Sequence, residues 1–197
     1  MRTTIIIFGV LYLWIAFRLS YNVRKIVSYS INFELINILS QEAIVFKFTN
    51  AICESYNESW FVIHKCRLKA VNRTVNTMNV NGTILHPAYR IGVQLQMFKR
   101  ANGYKPWLFN IHLDACRFVK TQYNPFAKIV FGLFKEFSNI NHSCPYVGHQ
   151  IVEGFYLRQK SLPHAIPSGD YLLSMTWHFD KRPQFITKIY FVYMEDL

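Results

Sequence analysis

Apolar and polar residues alternate along most of the chain, and this period of two constrains the fold more than any other feature. The pattern is cleanest over residues 171–179, where every second residue is large and apolar. Because successive side chains of a β-strand point to opposite faces, such a run predicts a strand with one buried face. Other alternating runs lie near 44–49, 60–71, 91–97, 107–113 and 185–194. We therefore predict seven to nine short strands.

Two Asn-Gly pairs supply turn signals between these runs. Asn81-Gly82 and Asn102-Gly103 both match the preferred residues of a two-residue hairpin loop. We predict a hairpin at each of them.

One segment follows a helical period instead. Its apolar residues recur at spacings of three and four, and Asn124-Pro125 supplies a cap and a first-turn proline. Two interpretations stay open, a helix packed on a sheet and a lid over a cavity mouth. The apolar stripe comprises Phe126, Ile129, Val130, Leu133, Phe134 and Phe137.

Together these elements predict a mainly β protein. We expect an immunoglobulin-like antiparallel β-sandwich or cup with one amphipathic helix packed against it. With 17 Phe and 12 Tyr among 197 residues, the interior should be rich in aromatic rings. The pattern does not distinguish a filled interior from a hollow one.

The amino-terminal segment has the features of a secretory leader. An uncharged apolar run at 5–17 follows Arg2 and is shorter than the roughly 20 residues that cross a bilayer. We predict a signal peptide at 1–20, a lead-in segment at 21–42 and a single domain at 43–197. No A-x-A cleavage pattern is present, so an uncleaved anchor stays an alternative.

The four cysteines predict two disulfides, because an even count behind a leader is typical of an exported protein. Three pairings are possible. We favour Cys53–Cys66, since both lie in strand-like runs about a hairpin apart, which leaves Cys116–Cys144. Zinc needs close pairs of ligands, and this spacing does not provide them, so no metal site is predicted.

Four N-x-S/T motifs agree with export, and three of them fall in predicted turns. We predict a secreted, extracellular glycoprotein. The acceptors are Asn57, Asn72, Asn81 and Asn141.

The formal charge of +11 favours anionic partners in general, such as acidic lipids, sulphated glycans or nucleic acid. The cations are scattered along the strands, and nucleic acid does not fit a secreted protein. We therefore expect no nucleic-acid partner.

The chain carries none of the common catalytic motifs. His112 and Asp114 share one face of a predicted strand and could pair, but no nucleophile accompanies them. We predict no catalytic residue, no cofactor and no enzymatic activity.

Five blocks of sequence resemble a large family of secreted insect proteins, which includes chemosensory proteins of the CheB type. More distantly, they resemble the ML lipid-recognition superfamily, to which the ganglioside activator belongs. The blocks are FTNAIC at 48–53, KCRLKAVNR at 65–73, KRANGYKPWLFNIHLDACRF at 99–118, SNINHSCPYVGHQIVE at 138–153 and PSGDYLLSMTW at 167–177.

This resemblance implies an extracellular sandwich or cup with an apolar cavity that carries a lipid-like molecule, and a chemosensory role. All four cysteines lie inside the matching blocks. Some ML proteins have more cysteines than this chain, so their full disulfide pattern does not transfer, and no ligand-contact residue carries over.

We therefore predict a non-enzymatic binding protein for a hydrophobic small molecule, lipid or pheromone-like, with a receptor or a membrane surface as a further partner. The alternative is an extracellular module with a filled core that binds a receptor or glycan through its basic surface. For each predicted cavity-lining residue, the ordinary alternative is a place in the plain core. They are Phe46, Phe48, Leu95, Met97, Trp107, Phe109, Leu133, Phe134, Met175 and Trp177.

Overall fold

The computed structural model describes residues 18, 19, 21, 23–25, 45–73, 75–158 and 166–194. The chain forms two compact units, Met1–Ala43 and Ile44–Leu197. The predicted leader at 1–20 and lead-in at 21–42 lie almost wholly outside the described residues, and those described between 18 and 25 are helical. Among the described residues, no helix combines the length and the apolar character that crossing a membrane requires.

The described residues of the second unit form eight strands in two antiparallel sheets. The larger sheet has the order β1-β8-β7-β4-β5 and the smaller one the order β2-β3-β6. This confirms the mainly β antiparallel sandwich. The strands are β1 (Val45–Ser55), β2 (Phe61–Ala70), β3 (Asn76–Ala88), β4 (Ile91–Ala101), β5 (Gly103–Asp114), β6 (Tyr146–Phe155), β7 (Gly169–Phe179) and β8 (Arg182–Met194).

Aromatic rings join the inner faces of the two sheets. Phe61 of β2 stacks on Phe185 of β8 with 3.9 Å between ring centroids. Phe48 of β1 meets Phe155 of β6 edge-on at 5.1 Å. Pairs of this geometry add to the hydrophobic contribution of their buried area, so the rings hold the sheets together on both sides of the interior.

The chain contains two disulfides, and they confirm the favoured pairing. Cys53–Cys66 joins β1 to β2 with Cα atoms 6.0 Å apart. Cys116–Cys144 joins the segment after β5 to the segment before β6, with Cα atoms 5.5 Å apart.

Two helices follow β5, where only one was predicted. They are α1 (Ala115–Thr121) and α2 (Pro125–Phe134), and a 3-10 turn continues α2 over Lys135–Phe137. The predicted cap of α2 is confirmed, because the Asn124 side chain accepts the backbone N–H of Ala127.

Helix α1 was missed because Asp114 both ends a strand and caps a helix. Its carboxylate accepts the backbone N–H of Arg117 at 2.9 Å. The carboxylate therefore serves the helix, whereas the His112 ring contacts the His178 ring, with centroids 5.3 Å apart.

The predicted hairpin at Asn81-Gly82 is wrong, whereas the one at Asn102-Gly103 is confirmed by the β4–β5 connection. Asn81 and Gly82 lie in the middle of β3, the central strand of the smaller sheet. The Phe61 ring lies directly over Gly82, and a Cβ there would also stand 2.9 Å from the Val62 carbonyl oxygen. A close approach, not a turn, explains this glycine.

The other sequon asparagines lie in connections between elements. Asn57 is in the β1–β2 connection, Asn72 in the β2–β3 connection and Asn141 before β6. Glycosylation at these residues and at Asn81 stays a prediction.

Gly132 should limit the stability of α2, because it is an exposed glycine inside the helix and a Cβ there would contact nothing within 4 Å. We expect Gly132→Ala to raise the free energy of unfolding by about 0.5–1 kcal/mol, measured by urea denaturation. Gly103→Ala is the control, since Gly103 has a positive φ of 86° and the same change should destabilise the protein. A loss of stability in Gly132→Ala would contradict the prediction.

Candidate functional site

A cavity of about 360 Å³ lies between the two sheets and α2. This volume falls within the roughly 300–1,000 Å³ typical of small-molecule sites. The larger sheet contributes side chains from β1, β7 and β8, and the smaller sheet contributes them from β2, β3 and β6. The sandwich is therefore hollow in part, which the alternating pattern left open.

Eight of the ten predicted cavity-lining residues border this cavity. They are Phe46, Phe48, Met97, Phe109, Leu133, Phe134, Met175 and Trp177.

The structure places the other two predicted residues elsewhere. Leu95 is packed in the solid core, only 4% exposed, between Ile111 and Met175 of the neighbouring strands. Trp107 packs on Tyr171 with ring centroids 5.2 Å apart. Next to Trp107, Leu108 has a positive φ of 65° where the pairing of β5 with β4 shifts register, and Leu108 itself borders the cavity.

The apolar stripe of α2 faces the cavity. Five of its six predicted residues border the cavity, all except Phe137. The helix packs through another face, where Phe131 meets Phe118 of α1 at 5.7 Å. Both interpretations of the stripe therefore describe part of the helix, which is packed on one side and borders the cavity on the other.

The two most exposed residues that line the cavity belong to α2 and β5. Ile129 of α2 is 40% exposed and Leu108 of β5 is 52% exposed, and both border the cavity. We infer that the cavity opens to solvent between them.

Few polar groups face this space. Among the described lining residues there is no Asp or Glu, and the one cation is Lys188. The Lys188 ammonium is 3.4 Å from a carboxylate oxygen of Glu54, with its side chain 32% exposed. Burial raises the pKa of Tyr146, whose hydroxyl donates to the His142 carbonyl oxygen, so this lining phenol stays neutral. The described walls therefore suit an uncharged, hydrophobic molecule.

Outside the cavity, two histidines of the larger sheet lie side by side, with the His112 and His178 ring centroids 5.3 Å apart. Burial, and then the neighbouring His112, lower the pKa of His178 on the outer face of the larger sheet. No free thiol is available to this pair, since all four cysteines are in disulfides. Among the residues described, no three His, Cys, Asp or Glu side chains gather as metal ligands.

Several lining residues were not predicted. Phe185 and Thr187 belong to the inner face of β8, and the alternation of the last strand could have identified them. Gln150 had no such signal, because a polar residue within a strand is normally assigned to the outer face. Phe61 was missed as well, although β2 was predicted.

Part of the chain is similar to a known protein family. Residues 93–173, from β4 to β7, are similar to a family described as a protein of unknown function (DUF1091). This match covers less than half of the chain. No curated protein matches the chain.

One similar solved structure is a Niemann-Pick type C2 protein from the Japanese carpenter ant. The sequence identity is 13%, the TM-score is 0.30, and the comparison covers 74% of this chain and 90% of that one. Because this identity and this TM-score are low, we assign the fold from the strands and sheets of the chain itself and not from the comparison.

Proposed function

We propose that the protein is a secreted, non-enzymatic carrier of a hydrophobic small molecule. The observation that carries this proposal is the apolar cavity of about 360 Å³ between the sheets. Transfer of a ligand from water into such a space gains roughly 25 cal/mol for each Å² of apolar surface buried. Aromatic and aliphatic walls can supply this gain without any chemistry on the ligand.

The location and physiological role are further parts of the proposal. The two disulfides favour an oxidising compartment. The family resemblance in the sequence supports delivery of a lipid or pheromone-like molecule in chemosensation, with a receptor or a membrane surface as the recipient.

The alternative function, binding of a receptor or glycan by a module with a filled core, has less support. This alternative assumes a filled core, whereas the structure has a cavity of about 360 Å³ between the sheets. Salt-sensitive retention on heparin without any uptake of a hydrophobic probe would nevertheless favour it over the carrier.

Filling the cavity tests the carrier proposal. We expect Leu133→Trp, which enlarges a lining side chain of α2, to weaken binding of a fluorescent naphthylamine probe at least about tenfold. The wild-type protein should bind the probe saturably, as measured by fluorescence titration.

Leu85→Trp is the matched control, because Leu85 is 46% exposed and does not border the cavity. It should bind the probe like the wild type. Thermal melts of both variants would separate lost binding from lost folding. Absence of saturable binding by the folded wild type would overturn the proposal.

A further inference from the structure

Three cations lie in a row along β2, on the outer face of the smaller sheet. Lys65, Arg67 and Lys69 alternate with Cys66 and Leu68. Cys66 is disulfide-bonded to β1 of the larger sheet, and Leu68 packs against the core. Because neighbouring side chains of a strand point to opposite faces, the three cations point away from the larger sheet. We call these three residues the basic row.

No carboxylate among the described residues pairs with the basic row. The four ion pairs that the structure describes lie elsewhere in the fold. β2 is an edge strand, and the register partners of the row on β3 are the uncharged Asn81, Asn79 and Thr77. Cations two residues apart on a strand are separated by roughly 6.7 Å, so they repel one another without compensation.

This part of the chain is also poor in acidic residues. Residues 59–113 contain no Asp or Glu but eight Lys or Arg. In the three strands that the structure describes for the smaller sheet, the one acidic residue is Glu153 of β6. β3 lies between β6 and β2, so the backbones of those two strands are roughly 10 Å apart. Exposed charges at this distance are largely screened at physiological ionic strength, and the row keeps its positive charge.

The positive region continues beyond Lys69. Arg73 follows in the β2–β3 connection and is exposed. The ammonium of Lys47 on β1 donates to the backbone carbonyl oxygen of Arg73 at 2.9 Å, which brings a fifth cation to this end. The cations therefore extend along a line, over roughly 13 Å from Lys65 to Lys69 and on to the connection. A small anion would contact one or two of them, whereas an extended polyanion can contact them all.

From this arrangement we infer that the outer face of the smaller sheet binds a sulphated glycan chain, which lies along the basic row. Successive sulphate groups of an extended chain can contact successive cations, and the Arg67 guanidinium can donate two hydrogen bonds to one sulphate, as it does to phosphate. None of the three residues of the row borders the cavity, so this site is separate from the proposed ligand site. The inference goes beyond the carrier function, because it concerns where a loaded carrier is held.

An anionic membrane surface fits this face less well. Helices that lie on membranes combine cations with apolar side chains that enter the lipid. The residues beside the basic row on β3 are polar, and no large apolar side chain is among them. A polyanion in water is therefore the better match.

Binding of a heparin oligosaccharide of defined length tests the inference. The protein is first freed of N-glycans, because the predicted acceptors Asn72 and Asn81 lie close to the row in the β2–β3 hairpin. We expect Lys65→Gln/Arg67→Gln/Lys69→Gln to weaken this binding at least about tenfold, measured by isothermal titration calorimetry at low salt.

Lys105→Gln/Lys120→Gln/Lys128→Gln is the matched control. It removes the same charge from three exposed lysines on β5, α1 and α2, outside the smaller sheet. If a defined surface binds the glycan, this variant should lose less than about threefold in affinity. Both variants should keep the melting temperature of the wild type and bind the naphthylamine probe normally.

The outcomes separate this inference from the carrier function. Equal losses in the two triple variants would overturn the inference, because heparin would then respond to net charge alone. Equally tight binding of chemically desulphated heparin would also overturn it, as would binding of phosphatidylserine vesicles without binding of heparin. If the wild type binds heparin through the basic row but takes up no probe, the glycan site stands and the carrier proposal fails.

Discussion

Replacing Phe61 with alanine is expected to lower the free energy of unfolding by about 3–5 kcal/mol. Phe61 is only 3% exposed, covers Gly82 within its own sheet and stacks on Phe185 of the facing sheet at 3.9 Å. Its removal would therefore lose a contact between the layers and leave a void beside the existing cavity. Urea denaturation of the purified protein would measure the loss.

Phe98→Ala is the matched control for this experiment. Phe98 lies on the outer face of β4 and is only half-buried, so the same change should cost less than half as much. Equal losses in the two variants would contradict the assigned role of Phe61 between the sheets. Phe61→Leu should give an intermediate loss, because leucine fills part of the void.

The alternating pattern predicted the strands well because it follows from a local requirement. In each run one face must be buried, and this condition is visible in neighbouring residues. The helix over Pro125–Phe134 was predicted for a similar reason, since its cap and its apolar spacing are both local. Eight of the ten residues predicted to line the cavity were placed there correctly from the inner faces of these elements.

The errors came from contacts between distant residues and from local breaks in regularity. Gly82 looked like part of a turn, because the Phe61 ring that requires a glycine lies on another strand. Leu108 has a positive φ of 65° and borders the cavity, and no local pattern in the sequence predicted either feature. The cavity itself depends on how far the sheets stand apart, which is a property of the assembled fold.

The buried, unpaired polar atoms of Thr187 and Trp177 are a further feature that a sequence pattern does not predict. Thr187 and Trp177 belong to strands whose inner faces were recognisable, yet their lack of a partner emerges only when both sheets are in place. A sequence pattern can therefore assign residues to a wall, whereas the hydrogen-bond partners of their side chains depend on three-dimensional contacts.

Loss of the Cys116–Cys144 bridge should have the second large effect on stability. Removing a bridge that spans 28 residues is expected to lower the free energy of unfolding by about 3.5 kcal/mol in the loop-entropy description. The Cys53–Cys66 bridge spans 13 residues, so its loss should cost about 3 kcal/mol. Urea denaturation of the two Cys→Ala double variants would measure these values.

The two bridges should differ more clearly in their effect on ligand binding. The segment closed by Cys116–Cys144 contains α1 and α2, helices of 7 and 10 residues. Isolated helices this short are marginal in water, so packing and the bridge must hold α2 at the cavity. We expect Cys116→Ala/Cys144→Ala to weaken probe binding more than Cys53→Ala/Cys66→Ala, at a temperature where both remain folded. If fluorescence titration shows weaker probe binding in Cys53→Ala/Cys66→Ala instead, the prediction is wrong. In that case α2 keeps its position without its bridge, and the Cys53–Cys66 link between β1 and β2 determines the shape of the cavity.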